Sequence, residues 1–215
     1  FTKTEFPRAL LNSLMIAFLT TVCCLLISIL GSYAMTRLKY PGRRFFKTSI
    51  IFSYLIPTAV LFVPMYVFVS KLGFYDNKWA LLIIYPTTVV PYCCYMLMSY
   101  FKAIPYALEE AALIDGCTRM KSLRYIITPI ALPGIAVVAT FAFTMSWNEY
   151  LYAMIMTTSP VQQTAVVAIS SFKYADSAIW GRIMAASVLT SLPVTIIYIV
   201  AQAQLISGKS DGSVK

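Results

Sequence analysis

The sequence predicts an all-α membrane protein, a polytopic helical bundle with five transmembrane helices visible in its 215 residues. The chain is 60% hydrophobic and 12% charged, whereas soluble domains carry about 25% charged residues. The charged residues lie in short segments that separate five long uncharged intervals. Each interval is long enough to cross a hydrocarbon layer of about 30 Å, which takes about 20 helical residues. The intervals are too long and too uniformly apolar for barrel strands, so helices are predicted.

The uncharged intervals place the five spans. We expect them at about residues 9–35, 48–70, 79–101, 125–148 and 183–206, all within a single transmembrane domain, 1–215. Prolines occur in four of these spans, at Pro57 and Pro64, Pro86 and Pro91, Pro129 and Pro133, and Pro193. Proline removes a helical hydrogen bond and kinks the helix. The prolines indicate either the broken helices of a transport bundle or ordinary irregularity of membrane helices.

Lysine and arginine predict the orientation of the chain. The first connection contains Arg37, Lys39, Arg43, Arg44 and Lys47 without an acidic residue, and the third connection is also basic. Basic short loops face the cytoplasm, so we expect a cytoplasmic C-terminus and an external N-terminus. Because the chain begins at Phe1, we expect a further span upstream and six in the full chain. The net charge of +9 therefore reflects topology, and no nucleic-acid partner is expected.

The residue types exclude several kinds of chemistry. The chain has no histidine and five cysteines, at positions 23, 24, 93, 94 and 117, and their spacing favours packing over a metal site or a disulfide. Without histidine there is no Ser/His/Asp or Cys/His triad, so no catalytic residue and no metal ligand is predicted. The phosphate-binding pattern G-x-x-x-x-G-K-[ST] is absent, so we expect no cofactor on this chain and no ATP binding by it.

The third connection, about 102–125, predicts a short helix outside the membrane. Pro105 suits the first turn, and Glu109 and Glu110 lie early, where the helix dipole favours negative charge. Ala111 and Ala112 are strong helix formers, and Gly116 is a favourable C-terminal stop. One predicted face consists of small or short residues and lets another protein approach closely. A plain amphipathic helix on the membrane surface is the alternative, but the segment lacks the large apolar residues and lysine-rich face of such helices.

This connection resembles the EAA loop of ABC import permeases. In that pattern E-A-A, three residues and G are followed after nine residues by I-x-L-P. Here Glu110, Ala111 and Ala112 are followed by three residues and Gly116, and nine more residues lead to the segment 126–129, Ile-Ile-Thr-Pro. Thr128 stands where the pattern has leucine. The basic surroundings between two spans add to the specificity of the match.

The resemblance implies partners and a role for the loop. In that family the helix couples the spans to a cytoplasmic ATPase, so it implies a homologous partner permease, two ATPase subunits that carry ATP and Mg, and an extracytoplasmic solute-binding protein. The expected location is the lipid of a bacterial or archaeal inner membrane. The residues expected to transmit ATP-driven closure are Glu109, Glu110, Ala111, Ala112, Asp115 and Gly116.

Other segments are similar to those of the carbohydrate-uptake branch, in particular the second permease subunit of maltose systems. They are the residues 114–116, the cluster 147–149 and the tail 208–215, which is more charged here than is usual in that branch. An oligosaccharide or related sugar is therefore the expected cargo. A permease for a phosphate ester or an amino acid is the alternative, and an ion-coupled transporter is a further one.

The outer end of the fourth span contains Trp147, Asn148, Glu149 and Tyr150. These residues could line the sugar pathway, because carboxylates bind sugar hydroxyls and aromatic rings stack on apolar sugar faces. They could equally mark the membrane boundary, with the aromatic rings in an interfacial belt. By resemblance, the outer loop at about 159–181 is expected to contact the binding protein.

Overall fold

The structure, a computed structural model, describes residues 5–172 and 180–210, and every regular element in this part of the chain is helical. A 3₁₀ turn at Lys78–Ala80 precedes α4, and a π-helical turn at Leu123–Ile127 joins α6 to α7. The helices are α1 (Phe6–Arg37), α2 (Arg43–Leu55), α3 (Thr58–Lys71), α4 (Leu81–Ala103), α5 (Tyr106–Ile114), α6 (Arg119–Ser122), α7 (Thr128–Ile130), α8 (Leu132–Trp147), α9 (Leu151–Met156), α10 (Ala165–Ser171) and α11 (Trp180–Ser210).

Three helical segments are long and apolar enough to cross a membrane, and the number rises to five if each of two bent pairs counts as one span. The three are α1, α4 with its preceding turn, and α11. Their positions agree with the first, third and fifth predicted spans, although α1 begins earlier, at Phe6, and ends later, at Arg37.

The second and fourth predicted spans are each built from two helices that meet at a sharp bend. α2 and α3 meet at an angle of 99°, and the segment Arg119–Ile130 meets α8 at 82°. The first bend follows from Pro57, because a residue before proline is driven out of helical geometry, and Ile56 is extended with ψ 122°. At the second bend Pro133 lies in the first turn of α8, where its missing N–H costs nothing. The prolines at 64, 86, 91 and 193 lie inside continuous helices.

The core lies where α1, α4 and α8 pack together with the turn that precedes α7. Its buried side chains include Cys24, Leu97, Phe101, Ile127 and Val138. Close packing of α8 against α4 requires Gly134, because a Cβ there would lie 2.4 Å from Cγ of Tyr100.

α1 presents a face of small polar residues to the core. Thr20, Ser28, Ser32 and Thr36 are all buried, and the last three, which are spaced by four residues, share one face. Ser32 Oγ donates to the carbonyl of Cys94 on α4 at 3.0 Å. Small residues allow helix backbones to approach closely in a membrane, and hydroxyls hydrogen-bond across the contact. The first span is therefore polar on its packing face.

Candidate functional site

The helix α5 begins and ends where the sequence predicts. Pro105 immediately precedes it in extended geometry, and Gly116 follows its last turn with a left-handed φ of 84°. The amide of Gly116 donates to Leu113 O at 3.2 Å and that of Cys117 to Ala112 O at 2.9 Å. These two bonds form a Schellman motif, which satisfies the last carbonyls of a helix and favours glycine at this position.

The nine residues of α5 divide into an inward and an outward side. Glu109 and Ala112 are buried, with 6% and 5% of their surfaces exposed. The residues on the side of α5 opposite to Glu109 and Ala112 face outward. That group, which we call the outer face of α5, consists of the exposed residues Ala107, Glu110, Ala111 and Ile114. Asp115 and Gly116, which follow the helix, are also exposed. Ala111 and Ala112, both expected on one small-residue face, therefore point outward and inward respectively.

Glu109 forms a buried ion pair with Arg37, the last residue of α1. Arg37 Nε lies 3.7 Å from Glu109 Oε2, with side-chain exposures of 1% and 7%. Tyr33 Oη, one turn earlier on α1, donates to Glu109 Oε1 at 2.5 Å. Glu109 thus accepts a hydrogen bond from Tyr33 through Oε1 and forms an ion pair with Arg37 through Oε2, which accepts no hydrogen bond among the described residues.

Arg37 also contacts the end of α4 and the beginning of α5. Its Nη2 donates to the carbonyls of Phe101 at 2.5 Å and Ile104 at 2.6 Å. Its guanidinium carbon lies 4.1 Å from the ring centre of Tyr106, in the range of a cation–π contact. Tyr106 Oη donates to Thr36 O at 2.7 Å. One side chain at the end of α1 therefore contacts both α4 and α5.

An open groove of about 830 Å³ lies beside this contact. The groove is lined by the basic side chains of Arg37, Lys39, Arg43 and Arg119 and by residues of α5. Arg43 donates to the carbonyls of Met35 and Thr36, each at 2.8 Å, and so satisfies the end of α1. The sequence interpretation missed Tyr33 and Arg37 as site residues. Arg37 was assigned to topology alone, and Tyr33 lies within an apolar run without a distinguishing pattern.

The four residues predicted at the outer end of the fourth span have separate surroundings. Trp147 is buried, stacks on Phe143 at 5.5 Å, and donates from Nε1 to Thr190 O at 3.2 Å. Glu149 accepts from the amides of Tyr152 and Ala153, each at 3.1 Å, at the beginning of α9. Asn148 is exposed and Tyr150 is half-buried. Glu149 therefore satisfies amides of the first turn of α9, an arrangement that the sequence interpretation did not consider.

A polar cleft of about 360 Å³ opens beside Asn148, between α8 and α11. Hydroxyl-bearing residues of α11 form one wall, and they lie at helical spacing on a single face. These residues are Ser187, Thr190, Ser191 and Thr195.

At the end of the molecule opposite α5, polar side chains attach the segment 157–164 to α1 and to the loop after α3. Asn12 Nδ2 donates to the carbonyls of Val161 and Gln163, each at 3.0 Å, and Lys78 Nζ donates to Asn12 Oδ1 at 2.7 Å. Asp76 accepts from both the amide and the hydroxyl of Ser159. These hydrogen bonds lower the pKa of Asp76, the side-chain bond most. Residues 173–179 of the predicted outer loop lie outside the described residues.

The architecture defines the class of protein: a polytopic helical membrane protein with the permease fold of ABC importers. A bacterial ABC transporter involved in the import of the acidic polysaccharide alginate superimposes with a TM-score of 0.80 at 22% identity, over 93% of this chain and 75% of that one. The inward-facing MetNI methionine ABC transporter gives 0.72 at 18% identity, over 95% and 94%. At these identities the likeness shows the fold.

The family follows from the sequence. The model of the family described as binding-protein-dependent transport system inner membrane component matches residues 27–209, and the chain belongs to this family. The chain is 37% identical to the inner membrane ABC transporter permease protein YcjP of Escherichia coli, over 95% of this chain and 73% of that protein. It is 34% identical to the trehalose/maltose transport system permease protein MalG of Thermococcus litoralis, over 98% and 76%. The sulfoquinovosyl glycerol transport system permease protein SmoH of Agrobacterium fabrum is also 34% identical, over 100% and 75%.

Family membership confirms the predicted class of ABC importer permease and makes the chain a multi-pass transport subunit rather than an ion-coupled carrier.

Proposed function

We propose that this chain is the permease subunit of an ATP-driven importer that takes up oligosaccharides or related sugars delivered by a binding protein. Relatives named for trehalose/maltose and diacetylchitobiose uptake support this class of cargo. The proposed complex contains a homologous partner permease, two ATPase subunits with ATP and Mg, and an extracytoplasmic binding protein. The chain forms a single transmembrane domain, 1–215, with the C-terminus and α5 on the cytoplasmic side. The basic first connection at the α5 end supports this orientation.

The outer face of α5 is the proposed docking surface for the ATPase subunit, and it carries the proposal. Ile114 is 85% exposed, which is unusual for a large apolar side chain outside the membrane. Ala107 and Ala111 are exposed and small, so a partner can approach the helix backbone closely. Glu110 adds one charge to the same face, and Asp115 and Gly116 follow it. In this proposal Glu109 and Ala112 support the helix from inside.

The polar cleft beside Asn148 is proposed to form part of the solute pathway. The hydroxyls of its α11 wall donate to backbone carbonyls one turn earlier and keep lone pairs that can accept from sugar hydroxyls. The exposed amide of Asn148 can both donate and accept. Trp147 closes one side of the cleft, while Glu149 and Tyr150 hold the turn into α9. The segment 157–164 at the same end of the molecule is the proposed contact with the binding protein, and its attachment through Asn12 and Asp76 supports a fixed shape.

Replacement of Ala111 by tryptophan tests the docking surface. The full chain, tagged and purified from native membranes in mild detergent, is expected to retain a soluble ATPase and a second multi-span protein. Ala111→Trp is expected to lose the ATPase, because a bulky side chain on the outer face blocks close approach, while the second permease remains. The matched control is Ala59→Trp, at an exposed alanine of α3 that lies outside α5 and its flanking loops. ATPase recovery that is equal in both variants would contradict the proposed docking surface.

The cargo is tested by stimulation of ATP hydrolysis in the reconstituted complex. We expect the binding protein to stimulate hydrolysis when it is loaded with a disaccharide and not when it is loaded with methionine. The amino acid is the relevant comparison because a methionine importer shares the fold. The reverse pattern assigns the chain to the amino-acid branch.

A further inference from the structure

We propose that Arg37 is a positioning residue that joins α5 to α1 and to the end of α4, so that α5 and α1 move as one body. The inference rests on the proposed function, because it concerns how a displacement of the docking helix reaches the membrane-spanning helices. It assigns a role to two residues of α1, Tyr33 and Arg37, that lie outside the third connection, about 102–125.

The attachment of α5 to α1 is mainly polar. Of the nine residues of α5, two are buried, Glu109 and Ala112. Glu109 is held by Tyr33 Oη and Arg37 Nε, while Tyr106 in the first turn donates to Thr36 O. Residues 106 and 109 are one turn apart on α5, and residues 33 and 36 are one turn apart on α1. Successive turns of α5 therefore contact successive turns of α1 through these side chains.

Arg37 also occupies the junction between α4 and α5. The carbonyls of Phe101 and Ile104, which both accept from its Nη2, flank the end of α4 just before Pro105. Carbonyls at a helix C-terminus are favourable partners for a cation. Because the same guanidinium lies over the ring of Tyr106, it fixes the direction in which the chain leaves α4 and enters α5.

The ion pair favours continued contact while α5 moves. Among the described residues, 5–172 and 180–210, Arg37 and Glu109 form the one ion pair. Both side chains are nearly inaccessible to solvent, so separating them would leave a buried charge without its partner, which is strongly unfavourable. The open groove on the other side of Arg37 leaves α5 without packing there. A force on the outer face of α5 is thus transmitted to α1 through Glu109 and Arg37.

The test uses the assembled transporter in lipid nanodiscs, with the full chain, partner permease, ATPase subunits and binding protein. Glu109→Gln removes the charge and nearly preserves the shape, and Tyr33→Phe removes one hydroxyl. The matched control is Tyr40→Phe, because Tyr40 lines the same groove and its hydroxyl makes no hydrogen bond among the described residues. Four quantities are measured: ATPase recovery, basal ATP hydrolysis, hydrolysis stimulated by loaded binding protein, and solute uptake.

Measured per amount of folded, purified complex, Glu109→Gln is expected to lower stimulated hydrolysis and uptake by about tenfold, a usual size for coupling between sites. We expect it to lower ATPase recovery much less, because the outer face of α5 is unchanged. Tyr33→Phe is expected to cause the same loss to a smaller extent, and Tyr40→Phe to cause none. Unchanged stimulation in both Glu109→Gln and Tyr33→Phe would overturn the inference. So would a parallel loss of ATPase recovery in both, because the contacts would then serve folding alone. An unmodified chain that recruits no ATPase overturns the proposed function, and the inference with it.

Discussion

Glu109 and Glu110 are adjacent in the sequence and occupy opposite environments. Glu109 is buried against Arg37 and Tyr33, whereas Glu110 is exposed on the outer face of α5. A rotation of 100° per residue separates them. The resemblance to the EAA loop implies the same role for both residues. The structure distinguishes a carboxylate that holds the helix in place from one that is available to a partner.

Replacement of each glutamate by alanine separates these environments. Glu109→Ala leaves Arg37 buried without its charge partner, so we expect it to destabilise the protein by about 3 kcal/mol. Glu110→Ala changes an exposed site and is expected to alter stability by less than about 0.5 kcal/mol. Thermal unfolding of the purified chain in detergent measures both. Equal melting temperatures for the two variants would count against the buried ion pair.

At the scale of helices, the bends and close contacts follow from single residues. The proline at 57 ends the helical path of α2, and Gly134 permits the close approach of α8 to Tyr100 on α4. Gly31 on α1 has more room, because a Cβ there would lie 3.5 Å from its nearest neighbour, Cys94 Sγ. Gly134 therefore has no room for a Cβ, whereas Gly31 does.

Alanine substitution distinguishes the two glycines. We expect Gly134→Ala to destabilise the protein by about 1–3 kcal/mol, because the added Cβ would overlap the Tyr100 ring. Gly31→Ala is expected to be neutral or mildly stabilising, since alanine favours a helix over glycine. Combining Gly134→Ala with Tyr100→Ala should cost less than the sum of the two single changes, which a double-mutant cycle by thermal unfolding measures. An additive result means that the two residues are not in contact.

At the scale of the whole molecule, the two ends are organised differently. The α5 end is basic and contains the buried ion pair. At the opposite end, Asn12 donates hydrogen bonds to the segment 157–164 and accepts one from Lys78, while Asp76 accepts from Ser159. The carboxylate of Asp76 accepts two of these bonds from Ser159, and this lowers its pKa.

Acidification is expected to release Ser159 from Asp76, whereas the hydrogen bonds from Asn12 to Val161 and Gln163 do not depend on pH. Because the pKa of Asp76 is lower in the folded state, its contribution to stability is present above the ordinary pKa of about 3.9 and is lost as the pH falls through the folded value. Hydrogen exchange at the Ser159 amide, corrected for its intrinsic pH dependence, should therefore accelerate below about pH 4. Asp76→Asn keeps a residue that tolerates the positive φ of 48° and should remove this dependence. A pH response that persists in Asp76→Asn must come from another group.

The sequence predicts what depends on local chemistry. The limits of α5 follow from Pro105 and Gly116, and the positions of α1, α4 and α11 follow from the uncharged intervals. The contact between Arg37 and Glu109 joins residues 72 positions apart, and no local pattern pairs them. The spacing of four between Ser28, Ser32 and Thr36 could have indicated the packing face of α1. The apolar residues between them hid this pattern. The bends at Pro57 and Pro133 could not be told from tolerated prolines, because tertiary packing decides between these outcomes.

The helix α1 is attached at both ends, through Arg37 to α5 and through Asn12 to the segment 157–164. Its 32 residues make it about 48 Å long at 1.5 Å per residue. If one end of α1 stays in place, a tilt of about 5° displaces the other end by about 4 Å over that length. In the proposed transport cycle, a small tilt at the α5 end of α1 would therefore become a displacement of about 4 Å at the other end.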